Sequence, residues 1–185
     1  FKTDSRRKIV FESSFGRGYG KNRGHGYRTN MKLWIMPVES IILTIDAMED
    51  KSPSHMQWVD LLEGGDDTIR VYANALLLTR DLKFRLDWTF SPKMSLQSFV
   101  QPFFAKMNYK KFYRLLAPKT MNLYPYEYLR ENDDPDFKVF NTVGTFVFRW
   151  EYRPGSTVFL VYNLSQNMSY SASEKQWSDD NSNAL

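Results

Sequence analysis

Residues 82–104 read LKFRLDWTFSPKMSLQSFVQPFF, and residues 145–164 read TFVFRWEYRPGSTVFLVYNL. Each is a pair of alternating runs joined by a tight proline turn. Leu82, Phe84, Leu86, Trp88 and Phe90 fall at every second position, with Lys83, Arg85, Asp87 and Thr89 between them. A period of two puts the two sets on opposite faces of a strand, one apolar and one polar. The runs are about 9–11 residues long, which is long for a soluble strand and right for a tilted strand crossing a bilayer. The fold class read from this is all-β, an antiparallel up-and-down transmembrane β-barrel.

Composition agrees. The 185 residues suffice for one domain with a core, and the net charge of +4 is mild, not the profile of a nucleic-acid binder. A mean hydropathy of −0.51 is compatible with a barrel, because half of each strand faces a polar lumen. No run of 18 apolar residues is present, so no transmembrane helix is expected. With no cysteine, neither disulfides nor thiol chemistry enters.

Turn signals divide the chain into nine strand runs. They are placed at residues 7–15, 27–36, 41–48, 56–62, 68–77, 82–90, 94–104, 139–152 and 156–164. Between them lie short turns (MPVES, 36–40; EGGDD, 63–67; FSPK, 90–93; YRPGS, 152–156) and longer polar connections (16–26, 49–55, 106–138), with 79–81 a short exception. This alternation is expected of periplasmic turns at one rim and extracellular loops at the other. A short helix is expected near 110–116. The barrel segment is assigned to residues 1–170, with a long extracellular loop near 106–138, and 171–185 is read as a polar loop or tail. The chain starts at Phe1 without an initiator methionine or signal peptide, which reads as an internal segment of a longer protein.

The faces yield candidate sites. Leu82, Phe84, Leu86, Phe146 and Phe148 are lipid-facing candidates. Lys83, Arg85, Asp87, Gln97, Gln101, Arg149 and Glu151 are polar lumen candidates, as a solute-selective lining or as ion-paired filling of a narrow barrel. Trp88, Phe90, Trp150 and Tyr152 precede short turns and form an interfacial aromatic girdle. Trp34 precedes a third turn, but its parity sets it on the face of Arg28, Asn30 and Lys32.

Motifs for chemistry are absent: no GxSxG, HExxH, GK[ST] loop or metal-ligand spacing. His25 and His55 have no partner pattern. Glu131, Asp133, Asp134 and Asp136 lack the spacing of a calcium loop and read as a solvated loop. Arg17 and the basic loop Lys21, Asn22, Arg23, Gly24 read either as a solvated loop or as a contact to lipopolysaccharide phosphates. No catalytic residue, metal or cofactor is expected, and the protein is not expected to be an enzyme.

LDWTFSPKMSLQSFVQPFFA (86–105), DPDF (134–137) and FRWEYRPGSTVFLVY (148–162) together resemble the C-terminal region of a large, poorly characterised outer-membrane family. TDSRRK (3–8) and the run from Ile69 to Phe90 fit the same pattern, and RWEYRPGST (149–157) is its most specific stretch. Members of that family typically carry an N-terminal family-9-like carbohydrate-binding domain before a β-barrel and are common in Bacteroidota and related Gram-negative bacteria. The resemblance implies a location in the outer membrane and a role as anchor or pore, linked to glycan binding or uptake or to a larger surface complex. The partners it implies are outer-membrane lipid, lipopolysaccharide and other subunits, with no nucleic acid. The family pattern's closing strand and terminal aromatic are not found here, and no site residues transfer. The alternative is a soluble β-rich ligand-binding domain, a sandwich or lipocalin-like barrel, with the apolar face turned inward.

Overall fold

The computed structural model of the chain describes residues 1–20, 24–64, 67–117, 119–120, 122–128, 134–172 and 176–179. Its strands are β1 (Ile9–Gly20), β2 (Gly24–Ile35), β3 (Ile41–Gly64), β4 (Asp67–Ser91), β5 (Met94–Leu115), β6 (Leu123–Pro125), β7 (Phe137–Arg153), β8 (Ser156–Ser171) and β9 (Gln176–Asp179). They make one antiparallel sheet of nine strands in the order β1-β2-β3-β4-β5-β7-β8-β9, with β6 alongside β5. The sheet is not closed: β1 and β9 lie at its two ends. Among the described residues, contacts between strands run only between ladder neighbours. Among the described residues there is no second layer.

The period-two pattern finds seven of these nine strands, but it divides two of them and misses β6 and β9. Glu49–His55 and Thr79–Asp81 are not connections. They face each other inside one long hairpin, with Glu49 opposite Arg80, Asp50 opposite Thr79 and Lys51 opposite Leu78. Polar residues and Pro53 looked like breakers, yet β2 stops pairing with β3 at Lys51, so Pro53 lies on a free edge, where a missing N–H costs no ladder bond. The two divided strands are offset in number by β6 and by β9, which falls within residues 171–185.

The helix expected near 110–116 is strand instead, since β5 runs on to Leu115 against β4. Only residues 116–136 connect β5 to β7, not 106–138.

Connections at 36–40, 92–93 and 154–155 share one rim. Those of β1–β2, β3–β4, β5–β7 and β8–β9 share the other, so EGGDD belongs to the second rim. The two rims differ chiefly in how far the strands project. β3 and β4, of 24 and 25 residues, each extend ~80 Å along the chain at about 3.3 Å per residue. Their distal part is twisted by bulges at Ser54/Gln57, Trp58/Asp60 and Ala73/Ala75.

The small buried core sits there. Val71, Ala73 and Phe112 are buried, packed by Val59, Leu62, Ile69, Tyr109, Tyr126 and Tyr128. The return of the β5–β7 connection covers them: Tyr126 N–H donates to the Phe112 carbonyl (3.0 Å), and Tyr128 stacks on Phe112 at 4.8 Å.

Candidate functional site: an apolar belt and a charged face

Ladder partners can be followed across the sheet as rungs. One rung is Phe11–Leu33–Ile45–Phe84–Val100–Gly144–Leu164, and the next toward the short-turn rim is Ile9–Ile35–Leu43–Leu86–Ser98–Phe146–Tyr162. Below these comes Ile41–Trp88–Leu96–Phe148–Leu160, then Met94–Trp150–Val158. Alternation within each strand and antiparallel register between strands thus merge separate apolar stripes into one belt across seven strands. Leu82, Phe84, Leu86, Phe146 and Phe148 all lie on it. It is most open on β8, where Leu160 is 68% and Tyr162 61% exposed; Phe84, Trp88 and Trp150 are exposed, and Leu82, Leu86, Phe146 and Phe148 are half-buried.

From Thr142 or Phe140 to Trp150 the belt covers 8 or 10 residue steps of β7. At about 3.3 Å per residue that is ~26–33 Å along the strand. Aromatic pairs mark its lower edge: Trp88 and Phe90 have ring centres 4.2 Å apart, and Trp150 and Tyr152 6.1 Å. These four are the residues assigned to a girdle.

The opposite face is charged over β2–β5. Arg28 Nε donates to Asp50 (2.7 Å), a carboxylate that also accepts from the Ser52 hydroxyl. Lys83 pairs with Asp81 (2.8 Å), which accepts from Gln101 as well (2.7 Å). Arg149 reaches Glu151 at 3.4 Å. Arg85 lies over the Phe99 ring at 5.7 Å, and Gln97 stands opposite Asp87. All seven lumen candidates share this face. Trp34 shares it too, opposite Val10 and Thr44, with Lys2 and Lys32 over its ring. Cation–π contact explains an indole among cations. Toward β8 the face turns apolar: Val143, Phe159 and Val161 are exposed there.

Sequence reasoning missed the belt's upper edge. There Tyr27 Oη donates to Glu49 Oε1 (2.6 Å) and Arg80 Nε donates to Glu49 Oε2 (2.6 Å). Both Glu49 and Arg80 lie in stretches whose turn chemistry reads as connections, so the sequence does not show their pairing. One rung further, Arg17–Tyr27–Lys51–Leu78–Lys106–Lys138–Tyr170–Trp177 crosses eight strands on the belt's face. Below it, Thr29, Met31, Ala47, Leu82, Phe104 and Phe140 line a groove of about 590 Å3.

Among the described residues, no group of three or more His, Cys, Asp or Glu could hold a metal ion. Glu131 and Asp133 of the acidic cluster, and Lys21, Asn22 and Arg23 of the basic loop, lie outside the described residues. Asp136 acts as a structural acceptor: Tyr109 N–H donates to Oδ1 (2.6 Å) and Asn108 Nδ2 to Oδ2 (2.8 Å). Burial first, and then the Asp136 charge, push the Tyr109 phenol above its ordinary pKa. His55 sits in the Ser54/Gln57 bulge with Nδ1 3.1 Å from Asn74 Oδ1, remote from the belt.

A family model described as "Domain of unknown function (DUF5916)" matches residues 1–185. No curated protein and no solved structure matches the chain.

Proposed function

We propose that this chain, which belongs to the DUF5916 family, is a segment of an outer-membrane β-barrel serving as a membrane anchor or pore. The observation that carries the reading is the belt: continuous over seven strands, exposed or half-buried, edged by paired aromatics, and, at the ~40° tilt of barrel strands, ~20–25 Å tall against the ~25 Å apolar band of such barrels. In this reading Leu82, Phe84, Leu86, Phe146 and Phe148 meet lipid, and Trp88, Phe90, Trp150 and Tyr152 lie at the headgroups. Lys83, Arg85, Asp87, Gln97, Gln101, Arg149 and Glu151 face the lumen. Ion pairs on that face then act as filling or lining, screened from hydrocarbon by the sheet itself. An open sheet cannot stand in lipid, so further strands or another chain must cover the edges of β1 and β9.

By the resemblance to outer-membrane proteins described above, the barrel would work in the outer membrane of a Gram-negative bacterium such as one of the Bacteroidota. Glycan uptake, or a place in a larger surface complex beside a carbohydrate-binding domain, is the corresponding role. One observation favours the alternative, a soluble β-rich domain: β8 exposes Phe159 and Val161 on the charged face as well, as if covered on both sides.

Spin labels decide between the two. Labels at Phe84, Leu86, Phe148 and Trp150 in lipid should be accessible to oxygen, and labels at Arg85 and Arg149 to a polar reagent. Apolar sites closed to both reagents would overturn the membrane reading.

A further inference from the structure

Above the belt runs a rung of four cations. Arg17, Lys51, Lys106 and Lys138 share one rung that contains no carboxylate. Glu49, the acid nearest below, is already engaged by Arg80 and Tyr27.

Between the lysines of β5 and β7, Lys106, Asn108, Lys138 and Tyr170 line a hollow of about 230 Å3. Asp136 also lines it, with its oxygens taken by Asn108 and the Tyr109 N–H. Directly beneath the rung runs the groove of about 590 Å3, apolar at Met31, Ala47, Leu82, Phe104 and Phe140 and bordered by the Glu49–Arg80 pair. Cations above and an acyl-sized groove below, on the face assigned to lipid, are complementary to a phosphorylated lipid.

We propose that this edge of the belt is a seat for lipopolysaccharide. The phosphates of its lipid A would lie along Lys51, Lys106 and Lys138, and one acyl chain would lie in the groove of Met31, Ala47, Leu82, Phe104 and Phe140. The width of the rung favours this occupant over a glycerophospholipid. Lys51 and Lys138 stand three strand spacings apart, ~14 Å at about 4.8 Å each, which suits a disaccharide with a phosphate at either end rather than a single phosphodiester. The rung also lies toward the rim of projecting strands, which the barrel reading turns to the cell exterior, the leaflet that holds lipopolysaccharide. The proposal rests on that reading.

The test titrates the full-length protein in detergent with lipopolysaccharide, and separately with phosphatidylglycerol, read by native mass spectrometry. Each cation near a headgroup contributes about fivefold, so the triple variant Lys51→Gln, Lys106→Gln, Lys138→Gln should bind lipopolysaccharide about a hundredfold more weakly. The matching Lys→Arg triple should retain affinity, which separates loss of charge from loss of fold. Unchanged binding in the Gln triple, equal loss in both triples, or phosphatidylglycerol binding as tightly as lipopolysaccharide would each overturn the seat. Oxygen access at labelled Phe84 and Phe148 in the same preparation reports on the barrel separately. Oxygen-accessible labels without lipopolysaccharide binding sink the seat alone, whereas closed labels sink both.

Discussion

Arginine moved down the belt should cost stability according to depth. Leu86 lies near mid-height: its rung is two above that of Trp150 and three below that of Arg80. Phe90 is four residues further along β4, ~13 Å along the strand and ~10 Å lower at a 40° tilt. Gln97, opposite Asp87, presents to the charged face. For a lipid-facing site, arginine costs about 2–4 kcal/mol at the midplane and about 0–1 near an interface. Leu86→Arg should therefore destabilise by ~3 kcal/mol and Phe90→Arg by less than about 1. Gln97→Arg should stay within about 0.5 kcal/mol, as for a surface change.

Equilibrium unfolding of the full-length protein in lipid vesicles, followed by tryptophan emission against denaturant, gives all three values. A soluble domain with this face packed under a second layer would lose heavily at Leu86 and Phe90 alike, since each would bury an unpaired charge. A bare sheet in water would lose little at either. Leu86→Arg within about 0.5 kcal/mol of Gln97→Arg, or of Phe90→Arg, refutes the lipid-facing assignment.

Two further outcomes follow from the geometry. A Cβ at Gly26 would lie 2.7 Å from the Lys51 carbonyl oxygen, whereas one at Gly18, its ladder partner, meets nothing within 4 Å. Gly26→Ala should thus cost roughly 1–3 kcal/mol by overpacking, and Gly18→Ala far less, in the same unfolding assay; equal costs would mean that β2 and β3 do not approach as described. Tyr109 has a raised phenol pKa through burial and the Asp136 charge. The folded state thus holds its proton longer than the unfolded chain does, and the stability this adds, full below the ordinary tyrosine pKa near 10, falls as pH rises through the raised value. Tyr109→Phe should reduce the loss of stability above pH ~10 in the same unfolding assay, and an unchanged profile would exclude Tyr109 as its source.

What the sequence made legible was periodic. Leu82 to Trp88 and Phe146 to Trp150 announce their faces through alternation alone, and the ladder keeps that alternation, as it does for Trp34, while Phe90 and Tyr152 fall in register shifts. What it hid was relational. Glu49, Asp50, Ser52 and Pro53 carry turn chemistry, and only their partners across the hairpin, from Arg80 to Leu76, make them strand. Local propensity is overridden where a neighbouring strand satisfies the backbone. The cationic rung was hidden for a similar reason. Its four cations sit 34, 55 and 32 residues apart in the chain and become one row only through register. The buried cluster of Val71, Ala73 and Phe112 depends on residues 126 and 128 folding back, which no periodicity announces.

Strand order repeats chain order from β1 to β5 and again from β7 to β9. In kinetic terms, each strand needs only the hairpin before it as a template, so both runs can zip up through short loop closures. The join of β5 to β7 is different, because it must close across residues 116–136. β6 lowers that entropic barrier by pairing with β5 over Leu115, Arg114 and Tyr113, which turns the excursion back before β7 arrives. The expected order is thus two independent zippers, then β6 as a latch, then the β5–β7 seam as the late and rate-limiting event. Mutations along that seam should slow folding, and those within the β3–β4 hairpin should mainly speed unfolding.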